Sequence, residues 1–265
     1  MTGIVDKRGV LYPARLPEFE RILPPKDLSD RVYWFWISRW SIAPGRVSRQ
    51  QLLPFPLMNL VVQPDEITLA GPASGASHKD LSGQGWAVAA LLKPAAGFVF
   101  SKTLHTPVKD LLDSEVAYPS PDLAGDIREL HSDTGLRQLN QECVDVFSTW
   151  IQRSTEQVDA TGLQANSFIE FVSATRSIIR VDQVAEQLNM TPRSLQRLSM
   201  KYLGLSPLSV IRRYRLQEAA QQLREDPGTS IAQIAVNLDY SDQAHLASDF
   251  RKVLGFSPSN YRLSG

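Results

Sequence analysis

The chain has 265 residues, 28 Lys plus Arg against 28 Asp plus Glu, no formal net charge at pH 7, and a single cysteine. That length is enough for two domains with buried cores. Zero net charge argues against a protein that coats nucleic acid generically, and a lone Cys143 excludes an intrachain disulfide.

No apolar stretch approaches about eighteen residues, so no transmembrane helix is expected. The N-terminus MTGIVDKRGVLYPAR has no apolar signal core. The expectation is a soluble cytoplasmic protein with no membrane partner.

Residues 1–119 are rich in proline, among them Pro13, Pro17, Pro24, Pro25, Pro54 and Pro56. Short apolar runs lie between them: VYWFWI (Val32 to Ile37), LMNLVVQ (Leu57 to Gln63), EITLAG (Glu66 to Gly71), WAVAALL (Trp86 to Leu92) and GFVF (Gly97 to Phe100). Runs of four to eight residues bounded by Pro, Gly and Ser predict β-strands. The expected unit is a small barrel or sandwich. Tyr33, Trp34, Phe35, Trp36 and Trp40 either fill its core or line an apolar pocket, and core packing is favoured. Trp86, Phe98 and Phe100 carry the same two readings. His78 and His105 form no His-x-His pair, so no metal site is predicted.

Pro119-Ser120-Pro121 marks a boundary, and residues 120–175 read as a helical layer. Leu136, Leu139, Cys143, Val146, Phe147, Trp150 and Ile151 form one stripe at helical spacing; Phe168, Ile169 and Val172 form another, with Ile179 near it. The stripes fit either an internal layer or a dimer seam. They do not persist as an a/d pattern over three heptads, so no coiled coil is predicted.

Residues 176–265 contain an internal repeat. VDQVAEQLNMTPRSLQRLSMKYLGLSP starts at Val181 and IAQIAVNLDYSDQAHLASDFRKVLGFSP at Ile231. At an offset of 50, Ala185 and Leu188 match Ala235 and Leu238. At an offset of 51, Leu195, Leu203, Gly204, Ser206 and Pro207 match Leu246, Leu254, Gly255, Ser257 and Pro258. The one-residue change falls in the turn between two helices, where an insertion leaves both apolar faces intact. Each copy predicts two short helices joined by a tight turn. Thr191 is the cap and Pro192 the first residue of the second helix; Ser241 or Asp242 caps its counterpart. Gly204 fits a left-handed helix end. This is the helix-turn-helix layout, whose second helix enters the major groove.

Arg193, Gln196 and Arg197 project from the first of these second helices. Arg can pair bidentately with guanine and Gln with adenine. Gln243, Ala244, Ala247 and Ser248 hold the equivalent places in the other copy and offer fewer hydrogen bonds. This region carries 12 Lys plus Arg against 8 Asp plus Glu; the rest of the chain carries 16 against 20.

VAEQLNMTPRSLQR, RYRLQEAAQQLR, SIAQIAVNLDYSDQAHLASDF and GFSPSNYR together resemble the two-motif DNA-binding domain of AraC/XylS transcription regulators. The resemblance covers about residues 176 to 263. It implies seven helices, with a long one from Leu208 to about Glu225 joining the motifs. It also implies that both second helices enter successive major grooves about 34 Å apart. In this family the N-terminal domain is often a cupin-like barrel, and PPKDLSDRVYWFW and LLKPAAGFVF are similar to one found on some members. The implied partners are double-stranded DNA and, as candidates, RNA polymerase, a small-molecule effector and a second copy of the chain. Ser199 departs from the family's usual buried Phe, and Ser248 from a frequent Arg.

The expected class is therefore α+β and multidomain: a β-rich domain at 1–119, a helical connection at 120–175 and an all-α DNA-binding domain at 176–265. The expected function is sequence-specific transcription regulation, with a ligand-independent architectural DNA binder as the alternative. Arg212, Arg213 and Arg215 are candidates for phosphate contacts, although for Arg215 an internal packing role is favoured. Some DNA-repair alkyl acceptors join this type of domain to reactive cysteines, but Cys143 stands on an apolar stripe and reads as core. The sequence has no phosphate loop, no Gly-x-Ser-x-Gly elbow and no His-Glu-x-x-His motif. No enzymatic activity and no cofactor are predicted.

Overall fold

A computed structural model describes residues 18–52, 55–133, 138–175, 178–226 and 228–263. The opening segment with Pro13 and Pro17, and Pro54, Leu136 and Arg176, lie outside these residues. The first half of the chain builds a six-stranded antiparallel sheet from β1 (Glu18–Ile22), β2 (Val32–Ser41), β4 (Asn59–Val62), β5 (Ile67–Ala70), β7 (Gln84–Leu92) and β8 (Glu115–Ala117). Their spatial order is β1-β2-β7-β4-β5-β8. A separate ribbon pairs β3 (Ser48–Leu52) with β6 (Ser77–Leu81). The expected runs at 32–37, 57–63, 66–71 and 86–92 coincide with β2, β4, β5 and β7. Strands β3 and β6 carry SRQQL and SHKDL, which lack the apolar content that marks a strand in sequence.

Two expectations are corrected. The sheet is open: β1 and β8 form its edges, and no closed barrel exists among the described residues. GFVF is helical, inside α1 (Pro94–Thr103). Pro94 stands in the first turn, where its missing N–H costs nothing, and Ala95 and Ala96 favour the helix. A four-residue apolar run has too few residues to show its period.

Alternation gives the sheet two distinct faces. Phe35, Ile37, Leu60, Val62, Ile67, Leu69, Val88, Ala90 and Leu92 are buried on one, beneath α2 (Pro121–Asp133) and α3 (Gln138–Ser154). Leu139, Cys143, Phe147 and Ile151 of α3 are at most 2% exposed there. This stripe is consumed inside the chain and is not a dimer seam. Burial pushes the Cys143 thiol up to about 11, so the thiol stays protonated and inert. The other face holds Trp36, Trp40, Val61, Ala87 and Ala89. Trp40 leans across Gly85, where a Cβ would fall 2.4 Å from its ring. At the end of that face Leu91 and Leu57, with half-buried Trp34, join a second core.

That second core belongs to the helices. Its apolar residues come from α4 (Ala160–Ala174), α5 (Val181–Gln187), α6 (Pro192–Leu203) and the first half of α7 (Pro207–Glu225). Phe168, Ile169 and Val172 of α4 therefore pack with the first motif. A third core joins the second half of α7 to α8 (Ile231–Asn237), α9 (Gln243–Leu254) and α10 (Pro258–Leu263). Six helices follow residue 176 among the described residues, and α4, upstream of that boundary, makes the seventh. The long joining helix is α7.

Gly71 ends β5 against the turn at Leu111, where an added Cβ would sit 1.7 Å from a backbone carbonyl oxygen. Gly71→Ala should therefore destabilise the protein by about 3 kcal/mol, read as a lowered urea midpoint at unchanged slope.

Candidate nucleic-acid interface

The two motifs close their turns in the same way. After α5, Asn189 takes the left-handed conformation (φ 51°) and the Met190 N–H donates to the Ala185 carbonyl at 2.8 Å. After α8, Asp239 does the same (φ 59°) and the Tyr240 N–H donates to the Ala235 carbonyl at 2.9 Å. Asn and Asp tolerate this conformation better than other residues with a Cβ. Up to this point the offset is 50. The next helix is capped by Thr191 in one copy and Asp242 in the other, an offset of 51. The Thr191 hydroxyl accepts from the Ser194 N–H at 3.1 Å, and the Asp242 carboxylate from the His245 N–H at 2.7 Å. The inserted residue is Ser241. Gly204 (φ 66°) and Gly255 (φ 80°) end α6 and α9.

Helix α6 is strongly two-sided. Leu195, Leu198, Ser199, Tyr202 and Leu203 are buried, while Arg193, Gln196 and Arg197 are exposed together. Ion pairs or hydrogen bonds within the chain are absent for both arginine side chains among the described residues, leaving their donors available to a groove. On α9, Gln243, Ala244 and Ser248 are exposed and Ala247 is half-buried. His245 also lies exposed on this helix, with its Nδ1 3.1 Å from the Ser241 hydroxyl. The residue-by-residue reading overlooked it, although it stands one turn after the inserted serine. It adds a hydrogen-bonding group to the weaker of the two faces.

Ser199 and Phe250 occupy equivalent places in the repeat. Phe250 is fully buried against Tyr261 in the third core. Ser199 is equally buried but donates to the Leu205 carbonyl at 2.6 Å, just past the helix end. A hydrogen bond therefore stands where the other copy has aromatic packing.

The α7 arginines divide by role. Arg212 is exposed and forms a long ion pair with Asp249 at 4.0 Å. Arg213 is 6% exposed and donates to the carbonyls of Ala73 (3.0 Å), Ser74 (2.9 Å) and Ser209 (2.8 Å). Its expected phosphate contact is overturned, because its donors already face backbone oxygens. Arg215 donates to the carbonyls of Leu238 and Asp239 at the end of α8 and lies 4.1 Å from the Tyr240 ring. It braces the second turn, as the packing reading anticipated.

Arg213 thus ties α7 to the loop between β5 and β6. The same loop reaches α9, where the Ala76 N–H donates to the Val253 carbonyl at 2.7 Å. Asp113 fixes the loop from behind by accepting from the Ser74 N–H at 2.5 Å. Replacing Arg213 by Ala should cost about 3 kcal/mol, because it leaves backbone acceptors unpaired. Hydrogen exchange should then quicken at residues 72–76 and in α9, but not in α6. Ser199→Ala should cost about 1–2 kcal/mol by thermal unfolding, with the loss traced to the α6 end.

Residues 184–264 match a family described as a helix-turn-helix domain, and residues 20–117 one described as a domain of unknown function (DUF6597). Over 84 residues the chain is 40% identical to the HTH-type transcriptional regulator VirS of Mycobacterium tuberculosis, covering 32% of this chain and 24% of VirS. Over 86 residues it is 35% identical to the HTH-type transcriptional activator AarP of Providencia stuartii, covering 32% of this chain and 63% of AarP. The matches thus span less than two thirds of these curated relatives. Among solved structures, the C-terminal domain of AraT, a response regulator from Geobacillus stearothermophilus, is 28% identical with a TM-score of 0.35, over 37% of this chain and 83% of that one. ToxT from Vibrio cholerae O395 is 11% identical with a TM-score of 0.47, over 86% of this chain and 97% of that one.

Proposed function

We propose that this protein, whose C-terminal region is an AraC-type helix-turn-helix domain, is a transcription regulator that reads double-stranded DNA at two adjacent sites. The observation that carries the reading is the matched pair of capped helices. Each presents its polar N-terminal half to solvent and is buried behind against α7 or α7's neighbours. Arg193, Gln196 and Arg197 read base edges in one major groove. Gln243, His245 and Ser248, with the flanking Ala244 and Ala247, occupy the next. Arg212 contacts phosphate. We assign the protein to the cytoplasm, where such a regulator would meet DNA. The curated relatives are named as transcriptional regulators, and no enzymatic step is proposed. The architectural alternative is not favoured.

We assign sensing to the N-terminal domain, read as an opened relative of a cupin-like barrel. We place the effector face at Trp36 and Trp40, which lie half-buried over the buried Val61, Ala87 and Ala89. That face runs into the second core through Leu91 and Trp34, so a ligand there acts on packing shared with the first motif. A cavity of about 20 Å³ between α4, α7 and the α8 turn holds about one water and is too small for an effector. For domain limits we retain a boundary near residue 119 and assign α4 to the DNA-binding unit. RNA polymerase and a second copy of the chain remain the further partners the reading proposes.

Footprinting on the chain's own upstream DNA tests the reading. It should show a discrete site covering two adjacent major grooves. Arg197→Ala should weaken binding there by about 1–3 kcal/mol and relax the preference at one base position. Uniform coverage of all DNA, unchanged in the variant, would reject sequence-specific recognition.

A further inference from the structure

The exposed cations of the first reading helix do not stop at the end of the motif. Arg193, Arg197 and Lys201 recur every fourth residue, so they form one row along α6. At 1.5 Å per residue the row spans about 12 Å, comparable with the width of a major groove. If Arg193 and Arg197 enter the groove, Lys201 reaches its flanking backbone. No acidic residue occurs in α6.

The N-terminal domain meets the helix at that end. Phe98 of α1 lies 4.7 Å from the Tyr202 ring. Lys201 places its ammonium 4.8 Å from the Phe98 ring, and Lys102 of α1 places its own 5.4 Å from the same ring. The turn at residues 108–111 completes the corner. A Cβ on Gly204, the α6 cap, would fall 2.8 Å from the Lys109 Cα. Lys102, Lys109 and Lys201 are all exposed.

The pairing of other lysines sharpens the contrast. Lys79 is paired with Glu115, and Lys93 with Glu170. Lys102, Lys109 and Lys201 have no ion pair among the described residues. The nearby acids are committed elsewhere or stand apart: the Asp159 carboxylate accepts from the Gly162 N–H, and Asp110 makes no ion pair with these lysines. A helix dipole accounts for one lysine at the end of α1 and one at the end of α6. It does not account for two helix ends converging on one ring with a third lysine beside them and no counter-charge.

We propose that the N-terminal domain is itself part of the DNA-binding surface. Lys102 and Lys109 extend the α6 row into a shoulder that holds the phosphate backbone flanking the first major-groove site. This rests on the DNA-binding reading above. The contacts carry no base information, so they add affinity and salt dependence equally on all sequences. They also make the sensor's position part of the binding surface: a shift of α1 against α6 changes the number of phosphates engaged.

The test uses the full chain and two duplexes of equal length, one covering the footprinted site and one scrambled. Affinity is measured by fluorescence anisotropy across a salt series. Lys102→Gln/Lys109→Gln should weaken binding to both duplexes by the same factor, roughly tenfold at low salt, and flatten the slope of log affinity against log salt by about two. Lys102→Arg/Lys109→Arg should retain wild-type behaviour, and its thermal midpoint together with that of the Gln pair reports folding. Arg46→Gln, beyond the opposite end of β7, should leave the slope unchanged and controls for net charge. An unchanged slope in the Gln pair while the wild type binds overturns the proposal, as does a loss confined to the footprinted duplex. Failure of the wild type to bind either duplex overturns the regulator reading instead.

Discussion

Helix α7 is the constraint on which the other parts depend. Its first half contributes Val210, Ile211 and Tyr214 to the core shared with the first motif, and its second half contributes Leu216, Ala219, Ala220 and Leu223 to the core of the second. One rigid rod thus fixes the separation of α6 and α9. An α-helix of 19 residues is about 28 Å long, of the order of the spacing between successive grooves on one face of DNA. Arg215 adds a brace at the α8 turn, and Arg213 binds the rod to the loop between β5 and β6. Neither arginine is free to serve DNA, although both lie in the basic stretch a charge count would single out.

The two motifs are attached to the N-terminal domain differently. The first shares an apolar core with the sheet, through Leu57, Leu91 and the partly buried Trp34 and Phe98. The second has a core of its own and touches the N-terminal half through the Ala76 N–H at the Val253 carbonyl, while Arg213 in the first half of α7 holds Ala73 and Ser74 of the same loop. Hydrophobic contact over a continuous core resists sliding, whereas a few hydrogen bonds from a loop can be exchanged for water at modest net cost. The helix face with two arginines and a glutamine is therefore the one bound firmly to the N-terminal domain. The α9 face is held by the more releasable contact.

The sheet explains how the N-terminal domain can sit so close. β7 reads QGWAVAALL, apolar at nearly every position, and is buried on both faces. One face is closed by α2 and α3. The other combines tryptophans with alanines and continues into the helical core. A domain built this way has no layer between that face of the sheet and the helical core of the first motif, so the helical connection expected at 120–175 divides. Helices α2 and α3 belong to the sheet, and α4 to the DNA-binding unit.

The sequence by itself determined the local geometry of the reading head. Thr191 and Pro192 start α6, Gly204 and Gly255 end the two second helices, and the 50-to-51 shift falls in the turn; each depends on capping, φ preference or helical period, which neighbouring residues settle alone, whereas the choice of Asp242 over Ser241 as the cap came from the structure. The apolar strands at 32–37, 57–63, 66–71 and 86–92 were legible for the same reason. Tertiary contact decided the rest. GFVF became helix because Pro94 and the alanines outweigh four apolar residues with no visible period. The sheet stayed open because closure depends on which edges meet, and no strand's pattern encodes that. Arg213 and Lys109 are both cations with apolar residues close by in sequence. One is buried against carbonyls of a loop 140 residues away and the other stands beside the end of α6 with no ion pair among the described residues. Charge is a property of the residue, but its availability is set by what the fold brings within hydrogen-bond reach.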